Sequence, residues 1–303
     1  MFSRRLVIAA MVTMGAAIGV VVAPGSAQTG GGDPQVLEAQ LLRTYDAPDA
    51  NQGVAVDRSS FYAVDNTTIT KHDRDSGDPL LQFAGGPAFL HLDSGAVRQG
   101  KLYASHSNYN DRPMVSSLEV FDARSMRHIA SHSFGIDRGS FTWLDRAPDG
   151  SWWGGFANYD RVPPGETEPY GETVNTQVVR FDRDWQVAQA YTIPNEILDR
   201  FRPMSNSGGS WGPDGRLWLT GHDLGETYVM EVPPAGSELR WIATVKLPGV
   251  EGQGLAWDLT SRDATLWTIK RSTKQVLQFD VPWRQIEAQP ADEGQVNRPG
   301  QFE

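Results

Sequence analysis

No cysteine occurs among the 303 residues, which excludes a disulfide framework, a thiolate nucleophile and thiolate ligation of a metal. Positive charge is scarce as well: 27 Lys and Arg stand against 37 Asp and Glu, a formal charge of −10, and no basic run interrupts the chain. Nucleic acid and anionic membrane surfaces are therefore not expected partners. There is no Gly-rich phosphate loop, no G-x-S-x-G elbow and no Ser/His/Asp arrangement in a sensible context. Long apolar runs are missing with one exception, Leu6 to Val22, which follows Arg4 and Arg5 and precedes the small residues Gly25, Ser26 and Ala27.

That exception has the layout of a secretory signal peptide. Residues 1–27 are expected to be a signal peptide, 28–36 a flexible linker around Gly30–Gly32, 37–289 the folded domain and 290–303 a polar tail. An uncleaved anchor is the rival reading, because the run approaches the roughly 20 residues that span a bilayer. Cleavage would export the protein to the periplasm or the exterior, remove two arginines (−10 − 2 = −12) and leave no membrane-inserted segment. A monomer is expected.

Five stretches begin alike, with polar residues and glycine leading into an apolar strand: "NQGVAVD" at Asn51, "HLDSGAV" at His91, "SFTWLDRAPDG" at Ser140, "NSGGSWGPDG" at Asn206 and "EGQGLAWD" at Glu251. Each is followed by a second strand, such as "KLYASH" or "TLWTIK", and four by a third ending in Asp. The spacing is about the 40–50 residues of a propeller blade, except before the fourth copy. There "IPNEILDRFRP" has helical spacing in Ile193, Ile197, Leu198 and Phe201, and could lie over the rim as a lid. The fifth copy lacks an outer strand, while "VLEAQLLRTYD" near the N-terminus belongs to no copy and would supply it. The fold class is thus all-β, a single five-bladed β-propeller closed by an N-terminal strand; a sixth blade in the insert is the alternative. Closure of this kind removes free sheet edges.

In that register one rim receives tight turns, "DRSS", "RQG", "APDG" and "GPDG", and the other receives the polar residues. His91, His106 and His222 share the second rim; His72, His128 and His132 do not, and the last two read as exposed on an outer strand. His106, His222 and Glu251 are candidate catalytic residues, as general acid and base or as ligands of a divalent metal ion, zinc or calcium. Each could instead brace a loop. His91, Asn108, Asn206, Ser207, Gln52 and Gln253 could hold a polar substrate, with Lys270 and Arg271 facing a developing oxyanion. Tyr109, Trp143 and Tyr159 could form aromatic walls. Asn and Ser, however, commonly fix turns by bonding to backbone. "DRDSGD" at Asp73 lacks the Gly and Glu of a calcium loop and reads as an acidic turn.

The strings "HLDSG", "ASHSNYN", "SHSFG", "MSNSGGSWGPDGRLWLTGHD" and "EGQGLAWD" resemble a family of exported β-propeller proteins often labelled cycloisomerase or cycloisomerase-like. The resemblance covers nearly all of the chain after the leader and implies a lactone-forming or isomerising enzyme. "NQGVAVD" also echoes strand starts of five-bladed glutaminyl cyclases, without the rest of their pattern. Fold does not fix reaction, so two functions stand side by side. One is a proton-transfer enzyme (isomerase, lyase or lactone hydrolase type) acting on a small polar molecule. The other is a non-catalytic propeller that binds a peptide, a glycan or an envelope partner.

Overall fold

The computed structural model describes residues 34–169 and 171–287. The expected signal peptide, most of the linker and the polar tail lie outside them. Alternation of apolar and polar residues, with β-branched and aromatic side chains in the apolar places, produces 21 strands in five sheets. The N-terminal segment holds β1 (Gln35–Glu38) and β2 (Gln40–Asp46). Blade one is β3 (Gly53–Val56), β4 (Ser60–Val64), β5 (Thr68–Asp73) and β6 (Pro79–Ala84). Blade two is β7 (His91–Arg98), β8 (Lys101–Ser107), β9 (Ser116–Asp122) and β10 (Arg127–Gly135). Blade three is β11 (Ser140–Arg146), β12 (Trp152–Ala157), β13 (Gln177–Phe181) and β14 (Val187–Thr192). Blade four is β15 (Gly208–Trp211), β16 (Leu217–Thr220), β17 (Glu226–Glu231) and β18 (Arg240–Lys246), and blade five is β19 (Ala256–Asp258), β20 (Thr265–Lys270) and β21 (Gln275–Asp280). This is a five-bladed β-propeller.

The N-terminal strand closes the ring as expected: β2 pairs antiparallel with β21 and completes blade five. The segment also does something unforeseen. It breaks at Ala39, whose amide donates to the Lys246 carbonyl, and β1 lies parallel to β18 as a fifth strand of blade four. That strand starts inside the expected linker, at Gln35. The insert forms a helix, α1 (Asn195–Phe201), that buries Ile197, Leu198 and Phe201 among side chains of blades three and four. Phe201 meets Tyr228 edge-on at 5.5 Å, so the helix is a wedge between blades rather than a lid.

The cores between blades are aromatic. Phe61, Tyr45 and Trp267 seal blade five to blade one; Phe134, Phe141, Phe156 and Phe181 pack together between blades two and three. Each fully buried ring contributes about 1.5–3 kcal/mol by leaving water. Near the axis the packing is backbone on backbone. A Cβ on Gly53 would stand 2.7 Å from the Asp93 carbonyl oxygen, one on Gly254 2.8 Å from the Gly53 Cα, and one on Gly208 2.6 Å from the Gln253 carbonyl oxygen. The glycine recurring at the start of the inner strands is therefore what lets the blades meet at the centre.

Candidate functional site

The loops that enter the inner strands and those that join second to third strands share one rim, and the polar residues gather there. Strand alternation places His91 and Asp93 on one face of β7. His91 Nε2 lies 3.3 Å from Asp93 Oδ1, and both side chains are largely buried. Burial opposes charge on His91, but the Asp93 carboxylate outweighs it and raises the imidazole above its ordinary pKa. The other carboxylate oxygen of Asp93 is buried without a hydrogen-bond partner, and so is Nε2 of Gln253, whose backbone is left-handed at φ +72°. Nδ1 of His91 makes no hydrogen bond among the described residues.

The Tyr109 ring packs on His91 at 5.1 Å and on Tyr159 at 5.0 Å. Its hydroxyl accepts from Arg161 Nη1 at 3.2 Å. From blade five, Arg271 Nη1 donates to His222 Nε2 at 2.9 Å, and its charge also acts on His91 and Tyr109. Neither Arg161 nor Arg271 forms an ion pair with a carboxylate among the described residues. His91, Asp93, Tyr109, Arg161, Arg271 and His222 thus make one cluster, with contributions from four blades.

The expected residues divide on contact with the structure. Because a guanidinium can only donate, His222 Nε2 is an acceptor and Nδ1–H donates to Asp223 Oδ1 at 2.5 Å. His222 is therefore neutral, its pKa lowered by burial, and it orients Arg271. His106 is bound in the same sense. The Leu90 amide donates to its Nε2 at 3.1 Å, and Nδ1–H donates to Ser117, which donates to the buried Glu119. Burial lowers the His106 pKa, and Glu119 also receives His128, which is thus tied into this network rather than free in solvent. Glu251 accepts from the amide and hydroxyl of Ser272, at 2.9 and 2.6 Å, and clips two loops together; those bonds hold its carboxyl below the usual range.

No group of three His, Asp or Glu side chains among the described residues is placed to hold a metal ion. The ligand set expected of His106, His222 and Glu251 is not assembled, because each has its coordinating atoms engaged elsewhere. Asn108 folds its own loop by bonding to Pro113 and Val115. Asn206 is buried and saturated: it accepts from Trp143 Nε1 at 2.6 Å and donates to the carbonyls of Gly208 and Thr220. Trp143 is accordingly core, not a site wall. Gln52 donates to Asn66, which holds the neighbouring loop. Ser207 is buried beside Asn206, and Lys270, like Arg271, acts on Glu251. Arg161 was not anticipated; it lies in the long loop 158–176, where no repeat register points to it. The paired signal at "HLD" was readable, since i and i+2 on a strand share a face.

Two large grooves, about 850 and 910 Å³, open on the other rim and share no residue with this cluster.

No protein-family model matches the chain, and no curated protein does. Among solved structures it is similar to the glutaminyl cyclase of Myxococcus xanthus, with TM-score 0.56 and 10% identity over 82% of this chain and 97% of that one. Weaker likenesses include the PQQ-bound aldose sugar dehydrogenase of Streptomyces coelicolor (TM-score 0.47, 14% identity, 77% and 78% covered). Another is virginiamycin B lyase of Staphylococcus aureus (TM-score 0.41, 12% identity, 81% and 75% covered). At these identities the likeness shows the propeller fold alone, and none of it carries the cycloisomerase label over to this chain.

Proposed function

We propose that the chain is a propeller enzyme that moves a proton at a carbon next to a carbonyl of a small polar substrate. The observation that carries this reading is His91. Of the three histidines on the rim, it alone keeps a ring nitrogen without a partner, and it is backed by a buried carboxylate through the other. An imidazole so held is oriented, and the Asp93 carboxylate holds its pKa above the ordinary value. Nδ1 would accept the proton, Asp93 would balance the imidazolium, and Arg271 and Arg161 would face the negative charge that develops on the carbonyl oxygen. Isomerisation, β-elimination and the closing of a lactone onto an unsaturated acid, or the reverse eliminative opening, all pass through such a step.

Proton exchange tests this without the physiological substrate in hand. The protein is incubated in deuterium oxide with a panel of small lactones, keto acids and unsaturated acids, and loss of the Cα–H signal is followed by proton NMR. The wild type is expected to exchange at least one panel member, and His91→Gln to slow that exchange about 100-fold or more, the usual worth of a positioned general base. A panel in which nothing exchanges, or a His91→Gln variant as fast as wild type, sinks the reading.

A further inference from the structure

The grooves on the opposite rim adjoin one another, sharing Trp211, Trp283 and Arg284 in their walls. Their charges are unequally employed. The lining carboxylates are engaged: Asp258 by Arg74, Glu231 by Arg216 and Arg240, Asp214 by Arg216, Asp57 by Ser59 and Tyr62, and Asp149 by Ser151. The lining guanidiniums of Arg146, Arg180 and Arg284 form no ion pair with a carboxylate among the described residues, although the charge of Arg180 acts on Asp149. Arg146 reaches only the Gly150 carbonyl through Nε, and Arg284 lies over the Trp283 ring at 4.1 Å. Three N–H donors in these walls, Arg180 Nε, Trp211 Nε1 and Trp257 Nε1, are buried with no acceptor. They are half of the unpartnered buried side-chain atoms among the described residues, and no acceptor in the grooves is left in that state. In a chain of net charge −10 this excess of donors is not a by-product of basic composition.

From this we infer that the opposite rim is a second binding site, for an oligosaccharide that carries carboxylates. Guanidiniums without partners take carboxylates as two-pronged acceptors. Neutral indole N–H groups take hydroxyl or ring oxygens, and an acidic sugar chain offers both kinds of acceptor along one length. The two grooves together exceed what one small metabolite fills. The site is independent of His91, because the packed axis separates the rims.

Isothermal titration with hexagalacturonate, and with maltohexaose in parallel, tests the assignment. The acidic hexamer is expected to bind one to one and at least about tenfold more tightly than the neutral one. Arg180→Gln and Arg284→Gln should each weaken it about tenfold with the melting temperature unchanged. Trp211→Phe, which keeps a ring and removes the N–H, should weaken it several-fold, and His91→Gln should bind as wild type. Equal affinity for maltohexaose overturns the inference, as does full affinity in the Arg180→Gln/Arg284→Gln double variant or no binding at millimolar sugar. Inorganic phosphate competing as well as the hexamer also overturns it, by reducing the site to a general anion patch.

Discussion

His106 and His222 reach the rim with Nε2 accepting from an N–H donor and the proton therefore on Nδ1, while His91 faces a carboxylate. The three should answer pH differently. The folded pKa of His106 and of His222 is lowered, so the unfolded chain takes up protons first, and their share of stability is lost as pH falls below about 6.5 through the folded values. The folded pKa of His91 is raised; its share is present below about 6.5 and is lost as pH rises through the folded value. These shares oppose one another, so variants reveal them better than the wild type. His106→Leu should flatten the acid side of a stability profile measured by urea denaturation, and should lower stability by roughly 1–3 kcal/mol through its orphaned partners. It should leave deuterium exchange unchanged. In catalysis His91 must be neutral to accept a proton, so kcat/KM should rise with pH along a limb set by its raised pKa. Asp93→Asn should move that limb to lower pH, a shift that a merely structural Asp93 would not cause. Which rim each histidine joins was legible in the repeat register. Its hydrogen bonds were not, because the Leu90 amide, Ser117 and Arg271 come from segments whose approach only the closed ring determines.

At the scale of elements, the repeat predicted every blade, the closing strand and the inserted helix. It missed β1, since four residues alternating on an outer edge carry no blade signature. It also misjudged α1, because an apolar face reads the same whether it covers a rim or fills a gap between blades. The closing strand makes a testable difference between two truncations. Removing residues before Gln40 takes away β1 and Ala39 but keeps β2, and should leave a folded, soluble ring. Removing those before Ala47 also strips β2 from β21 and exposes an unpaired strand edge, so aggregation on size-exclusion chromatography is expected. Between blades three and four the tie is Asn206. Asn206→Ala would leave Trp143 Nε1 without its acceptor in a buried place and take one donor each from the Gly208 and Thr220 carbonyls, the latter keeping the Ser207 amide, and should destabilise by about 1–3 kcal/mol, read as a fall in melting temperature. A change in catalysis beyond that of a destabilised fold is not expected from it.

For the whole molecule, two mouths of unlike chemistry sit on one ring. One carries a buried imidazole–carboxylate pair with two guanidiniums from different blades; the other is an open groove rich in donors. The repeat register distinguished the mouths by turn chemistry but credited only the first with a role, since Trp211 and Trp257 look like packing aromatics in strand sequences. What separates the mouths is the close approach of Gly53, Gly208 and Gly254 near the axis. A methyl group there has backbone on its far side, so Gly254→Ala is expected to lower stability by about 1–3 kcal/mol although no side-chain contact is removed. The same junction works like the hub of a wheel. Blades one, two, four and five touch there through main chain that has no rotamers to absorb a displacement, so a load on any one of them is passed to the others undamped. Arg271 and the loop that carries Gln253 hang from blade five, His91 from blade two beside Gly53, and their spacing is held by that hub rather than by the loops that bear them.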